Sequence, residues 1–312
     1  MNFQSMEYFI ELARQKNFTR AAQKLNVTQQ SLSAHIASIE REVGCILVDR
    51  RSPLQLTHAG KVFLQFAVRQ QSDLRSLRQE LGDIAGNVKG ELRVGISNSR
   101  SQLIMPSVVT AFLQEHPHIQ ITIIERAVTL QPLLNGEVDL LITDSSMESP
   151  DIESSSFYEE KVVMLVSENL LQKYSVNPAD VTDALEQGLL TPMKECPFIL
   201  GTSAGLSTRI ALEFFRRSGI SPIIKAVSLN QNTVLRLCAN EVGACFSPNH
   251  MVWNLLGEMQ LSNMHIFPFP EQFGTSFQTR FVYIKRNYCW SMISEFIRVA
   301  QQVYPGLLSY EK

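Results

Sequence analysis

Residues 17–57 constrain this chain more than any other stretch. Phe18, Ala21, Ala22, Leu25, Val27, Leu32, Ile36, Ile39 and Val43 recur at three- and four-residue spacing, with a break only at 25–28, so they describe two helices sharing one apolar face. Asn26 tolerates the left-handed conformation that ends a helix, and Thr28 can cap the next one through its hydroxyl. Ala21 and Ala22 are small enough to let the helices cross closely. Local chemistry therefore predicts helix, tight turn and second helix, which is helix-turn-helix geometry.

On the second helix Leu32, Ile36, Ile39 and Val43 face inward. The opposite face begins with Gln29, Gln30, Ser31, Ser33, Ala34 and His35, short and mostly neutral hydrogen-bonding groups on the end of a helix suited to the major groove. Glutamine can pair with adenine, and serine with most bases or a phosphate. After Gly44, residues 45–57 read as two short extended pieces around a polar, proline-containing turn. That is a wing, from which Arg50 and Arg51 can reach phosphates or the minor groove. Thr28, Gln29, Gln30, Ser31, Ser33, His35, Arg50, Arg51 and Thr57 form the expected DNA-binding set. A solvated helix face is the alternative for its polar members.

Taken together, Phe18-Thr19-Arg20-Ala21-Ala22, Leu25-Asn26-Val27-Thr28-Gln29, Ser31-Leu32-Ser33, Ile36, Glu40, Gly44, Leu47, Asp49-Arg50 and Leu56-Thr57-His58-Ala59-Gly60 resemble a LysR-type transcriptional regulator. The match fixes turn, recognition helix, wing and following helix in one register. It departs from the family at Ala34, where many relatives carry arginine, and at Gln30, often proline or a small residue.

Composition agrees with a DNA-binding end on an otherwise acidic chain. The net charge of the 312 residues is −2, yet residues 1–90 hold 12 Lys and Arg against 8 Asp and Glu, and residues 91–312 hold 16 against 22. Phosphate neutralisation needs that asymmetry, and pairing of two chains doubles it. The hydrophobic fraction of 45% allows two or three domains with real cores. No apolar run reaches the roughly 18 to 20 residues that span a bilayer, and the first residues lack the pattern of a signal peptide, so a cytoplasmic protein is expected. Cys45, Cys196, Cys238, Cys245 and Cys289 have no metal-type spacing, and their odd number argues against a disulfide framework. Some members of the resembled family sense oxidants through a cysteine pair in the regulatory domain. Cys196, Cys238 and Cys245 are the candidates here, although their spacing does not match.

Before the motif, Phe3, Met6, Phe9, Ile10 and Ala13 predict a helix over 3–15 that packs the head. Thr57 can cap a long helix reaching about residue 85, on which Phe63, Ala67, Gln70, Leu74, Leu77, Leu81 and Ile84 form a heptad seam. The resemblance implies that this seam, with Phe63, Ala67, Leu74, Leu77, Leu81 and Ile84 as dimerisation residues, pairs with the same helix of a second subunit. Packing on the chain's own regulatory domain is the alternative. Gly82, Gly86, Asn87 and Gly90 mark a hinge.

Beyond residue 91 strands are expected at 92–96, 119–124, 138–143, 162–167, 198–200, 223–229, 243–246 and 277–285. They alternate with helices at 105–115, 130–135, 206–218, 233–240 and 291–303, the pattern of a parallel sheet flanked by helices. His116-Pro117, Gly136-Glu137-Val138-Asp139 with Leu140-Leu141-Ile142, and 243–248 extend the resemblance across the chain, with a departure at Asn240-Glu241. The expected organisation is a winged helix-turn-helix head at 1–60, a linker and dimerisation helix at 61–90, and a two-lobed, periplasmic-binding-protein-like α/β effector domain at 91–312. Its first lobe takes 91–163 and 268–312, and its second 164–267.

Ligands of open α/β sheets bind beyond the carboxyl ends of strands, where helix N-termini present free N–H groups. Residues 98–101 and 201–205 fill that position in the two lobes. The resemblance adds Ser99 and Thr129 as effector contacts. Ser99, Arg100, Ser101, Thr129, Thr202, Ser203 and Phe246 are thus the expected effector site, suited to a small organic anion such as a carboxylate. Helix capping is the alternative for the hydroxyls, and core packing for Phe246.

No phosphate-binding glycine loop, metal-binding helix or nucleophile elbow is present, so neither catalytic residues, metal nor cofactor is expected. His116 and His118 read as a surface loop, and Asp139 and Asp144 as solvated turns. The resemblance implies a transcription regulator acting as a homodimer or homotetramer, with double-stranded promoter DNA, a small effector and, for an activator, RNA polymerase as partners. A different class, a small-molecule binding protein or enzyme whose head serves only for association, is the alternative.

Overall fold

The computed structural model describes residues 2–51, 53–125, 128–201, 205–285 and 288–307. The head comprises α1 (Phe3–Gln15), α2 (Phe18–Lys24) and α3 (Gln29–Val43), followed by the wing strands β1 (Val48–Asp49) and β2 (Gln55–Leu56). Each helix is started by a side-chain cap: Asn2, Asn17 and Thr28 accept from the backbone N–H groups of Ser5, Arg20 and Ser31. Asn26 takes φ 53° between α2 and α3, the left-handed turn expected there. Phe9, Leu12, Leu32, Ile36 and Leu47 are fully buried in the head core, whereas Val43, expected on the same face, is 37% exposed.

The linker helix α4 (His58–Ile84) is capped by Thr57. Its expected seam is divided between two roles. Phe63 and Ala67 are buried in the head core, where Phe63 meets Phe9 edge-on at 4.9 Å, so α1 rather than a second subunit covers them. This corrects their assignment to dimerisation. Leu74 is half-buried, and Leu77, Leu81 and Ile84 are 51%, 54% and 76% exposed. Val62 and Phe66 are exposed too, so the free apolar stripe keeps the second half of the heptad read in the sequence and is shifted by one residue in the first half.

The rest of the chain runs β3 (Gly90–Ile96), α5 (Asn98–Glu115), β4 (Ile119–Glu125), α6 (Gln131–Leu134), β5 (Leu140–Thr143), β6 (Ile152–Ser167), α7 (Glu168–Lys173), α8 (Pro178–Glu186), β7 (Pro197–Leu200), α9 (Leu206–Ser218), β8 (Ile223–Val227), α10 (Gln231–Ala239), β9 (Ala244–Pro248), α11 (Asn249–Leu255), α12 (Glu258–Leu261), β10 (Met264–Pro268), β11 (Ser276–Ile284) and α13 (Ser291–Leu307). Strand order is β4-β3-β5-β11-β6-β9-β7-β8, with β10 also on β6. The sheet is mixed, not parallel throughout. β3 is parallel to β4 and β5, and β7 to β8 and β9, but β6 and β11 run antiparallel to their neighbours.

β6 joins the two lobes. Up to Lys161 it pairs with β11, and from Val162 it pairs with β9 and β10. Separate cores flank this change of partners: Leu92, Val94, Phe112, Phe281 and Phe296 on one side, Met164, Phe198, Phe214 and Phe246 on the other.

Candidate functional site

On the head, Thr28, Gln29 and Gln30 are exposed at the start of α3. Gln29 accepts from the Thr19 hydroxyl at 3.2 Å, which orients its amide without burying it. Arg50 spans from the wing to α3. Its guanidinium lies 5.6 Å from the Phe18 ring centroid, donates to Ser33 Oγ at 3.4 Å and reaches Glu40 at 3.4 Å. Glu40 also accepts from the backbone of Leu47 at 2.8 Å and Val48 at 3.1 Å, so one carboxylate fastens the wing to the recognition helix. Only the family resemblance singled out Glu40, because its partners come from a different element. Arg51 is 89% exposed and chelates Asp49, whose carboxyl its hydrogen bonds lower to about 2.

Two residues leave the DNA-facing set. His35 turns toward α1, its ring edge 4.8 Å from Tyr8 and its Nδ1 3.4 Å from Ser5 Oγ. Thr57 commits its hydroxyl to the carbonyl of Ile46 at 2.7 Å and to the N–H of Gly60 at 3.0 Å. Both are corrections with one cause: these polar groups are engaged by partners within the head.

Between the lobes, the first turns of α5 and α10 meet directly. Ser99 Oγ accepts from the Gln231 N–H at 3.0 Å, Asn230 donates to Asn98 at 3.0 Å, and Asn232 donates to Gln102. Asn98 also donates to Glu125 at 2.9 Å. Asn230 caps α10, a role its position ahead of Val234, Leu235 and Cys238 could have signalled. Ser99 and Ser101 are buried, as is Arg100, whereas Thr129 is exposed. Thr202 and Ser203 lie outside the described residues.

Arg100 is not an available anion ligand, which corrects its expected role. Its side chain is 5% exposed and donates to Glu160 at 3.0 Å, to Tyr158 at 3.0 Å and to Asp144 at 3.4 Å. Burial would lower its pKa, but Glu160, Tyr158 and Asp144 outweigh that and keep the guanidinium charged. Burial and Glu160 also raise the Tyr158 hydroxyl well above its ordinary value. Phe246 is corrected as well: its ring packs in the second lobe's core against Phe198 and Phe269, and only its carbonyl approaches the cleft, accepting from Gln231 at 2.7 Å.

Asp139 and Asp144 are not solvated turns. Arg93 holds Asp139 through its side chain and backbone N–H, and Asp144 faces Arg100. His116 ends α5 against the Phe112 ring, and although Glu115, His116 and Glu295 approach one another, Arg298 bonds both carboxylates. Cys196, Cys238 and Cys245 are buried free thiols; burial raises Cys196 to about 11, and a hydrogen bond with Cys238, then burial, hold Cys245 well above its ordinary value. Among the described residues no helix is long and apolar enough to cross a membrane.

A family described as "LysR substrate binding domain" matches residues 85–304, and "Bacterial regulatory helix-turn-helix protein, lysR family" matches 3–61. A relative from Bacillus subtilis, described as the uncharacterized HTH-type transcriptional regulator YcgK, is 28% identical over 266 residues, covering 80% of this chain and 80% of its own length. The probable cat1 operon transcriptional activator of Acinetobacter lwoffii is 27% identical over 252 residues, with the same coverage of both chains. The fold resembles full-length CbnR bound to its target DNA, with a TM-score of 0.65 at 19% identity over 97% of this chain and 100% of that one. It also resembles a full-length OxyR variant from Pseudomonas aeruginosa, with a TM-score of 0.69 at 17% identity over 97% and 95%.

Proposed function

The chain belongs to the LysR family of transcriptional regulators, and from that premise we propose that α3 reads a promoter half-site through Gln29, Gln30 and Ser33 while Arg50 and Arg51 hold the adjoining backbone. Thr28 and Ser31 fix the helix start. The observation that carries this reading is the exposed amide face at the N-terminal end of α3 beside two wing arginines. The DNA-bound CbnR neighbour supports the same use of the head.

The proposed division is a head at 1–60, a linker at 61–90 and an effector domain at 91–312, in a cytoplasmic, non-catalytic homodimer or homotetramer that contacts RNA polymerase where it activates. The effector enters between α5 and α10, replacing the direct bonds of Ser99 and Asn98 with Gln231 and Asn230. A small organic anion such as a carboxylate suits two facing helix N-termini, without help from Arg100. Its binding shifts the relation between lobes and thereby the separation of the heads.

Selection from a genomic fragment library at two salt concentrations tests the reading. Paired half-sites with steep salt dependence are expected. Gln29→Ala should cost about 1–3 kcal/mol at one base position, while Arg50→Ala should weaken all sequences and reduce the salt slope by about 1. Unchanged base preference in Gln29→Ala would falsify the assignment of that residue.

A further inference from the structure

Glu160 lies on β6 just before that strand changes partners, and its carboxylate is bonded by first-lobe side chains and faced by one from the second. One oxygen takes the Arg100 guanidinium from the first turn of α5 at 3.0 Å. The other takes the Tyr158 hydroxyl at 2.9 Å and lies 3.1 Å from His250 Nε2, in the first turn of α11. Tyr158 is in turn stacked on Tyr304 of α13 at 3.9 Å. Glu160 is 1% and His250 4% exposed, so bulk water cannot substitute for either partner.

We infer that Glu160 is a positioning residue for the effector cleft: through Arg100 it fixes the start of α5, where Ser99 meets Gln231, while His250 of the second lobe packs beside the same carboxylate without a hydrogen bond from its Nε2. A buried ion pair adds little net stability over an apolar pair of similar volume, but it penalises any arrangement that separates its members. Here the penalised arrangement is displacement of α5 from β6. The network consequently holds the first turn of α5, and with it Ser99, at the edge of the cleft that faces Gln231. The inference rests on the reading that the effector enters between α5 and α10, but its test needs no effector.

The Gln231 amide donates across the cleft, so its hydrogen exchange in the full chain reports closure, and the Val94 amide of β3 reports the core. The rate ratio of the two, measured without added ligand, decides the matter. Glu160→Gln leaves Arg100 buried beside a neutral group and should lower the melting temperature and raise the ratio about tenfold. Arg100→Met with Glu160→Met leaves neither buried charge and should recover melting temperature while Gln231 stays fast. A wild-type ratio in the double variant, or equal acceleration of both amides in either variant, overturns the inference and leaves the network a purely structural one. Failure of the effector reading would appear separately, as a wild-type ratio that no bound effector alters.

Discussion

His250 shows how one buried side chain links acidity to stability. Burial lowers its pKa, Glu160 opposes that in part, and Arg100 adds to it; the Tyr158 ring lies 5.6 Å away. The folded value is therefore below the roughly 6.5 of an unfolded histidine, so the unfolded chain binds more protons between the two values. Stability from this group is complete above about pH 6.5 and is lost as pH falls through the folded value. Melting temperature should decline over that window in the wild type, and His250→Gln should flatten this part of the profile. Identical profiles would remove His250 from the account. None of this was legible at positions 99–101, where the residue types announce a helix start; the partner of Arg100 stands 60 residues later, brought in by sheet register rather than local chemistry.

At the scale of elements, side-chain chemistry at helix starts was the most readable signal, and pairing of strands the least. The helices Phe3–Gln15 and Leu206–Ser218 have the bounds their apolar spacing predicts, and Thr57 caps α4 as expected. β6 was read only from residue 162, because 152–161 is mostly polar and becomes a strand by pairing with β11. β10 is a short segment, Met264–Pro268, that becomes a strand by pairing with β6. α8 could have been found: Asn177 caps it and Pro178 opens it, a pairing typical of helix starts.

The end of α4 illustrates the limit further. Glycines there predicted a hinge, yet Asp83 accepts from the Ser291 N–H at 3.0 Å, from the Ser291 hydroxyl at 2.8 Å and from Tyr288, capping α13 from another element. Asp83→Ala should cost about 1–2 kcal/mol, as loss of a helix cap does, and should loosen α4 from the first lobe. Urea unfolding with an unchanged midpoint would show the cap to be dispensable.

Across the whole molecule, head and effector domain are joined by α4, one side of which is occupied and the other open. Phe63 and Ala67 pack on α1, and Ser72 lies against Gly136, where an added Cβ would collide with its hydroxyl. Val62, Phe66, Leu77, Leu81 and Ile84 remain exposed along the helix. Large apolar side chains in line on a 27-residue helix are costly in water and fit a second copy of the same helix. Leu77→Glu combined with Leu81→Glu touches neither the head core nor the cleft, so each half should stay folded. Sedimentation should then report a smaller assembly. Binding to one half-site should persist at wild-type strength, while a two-half-site fragment should lose the roughly 10²-fold or greater gain that linkage of two heads provides. If the double variant sediments as the wild type does, the exposed stripe is not the assembly surface, and the spacing of heads must be set by the effector domains instead.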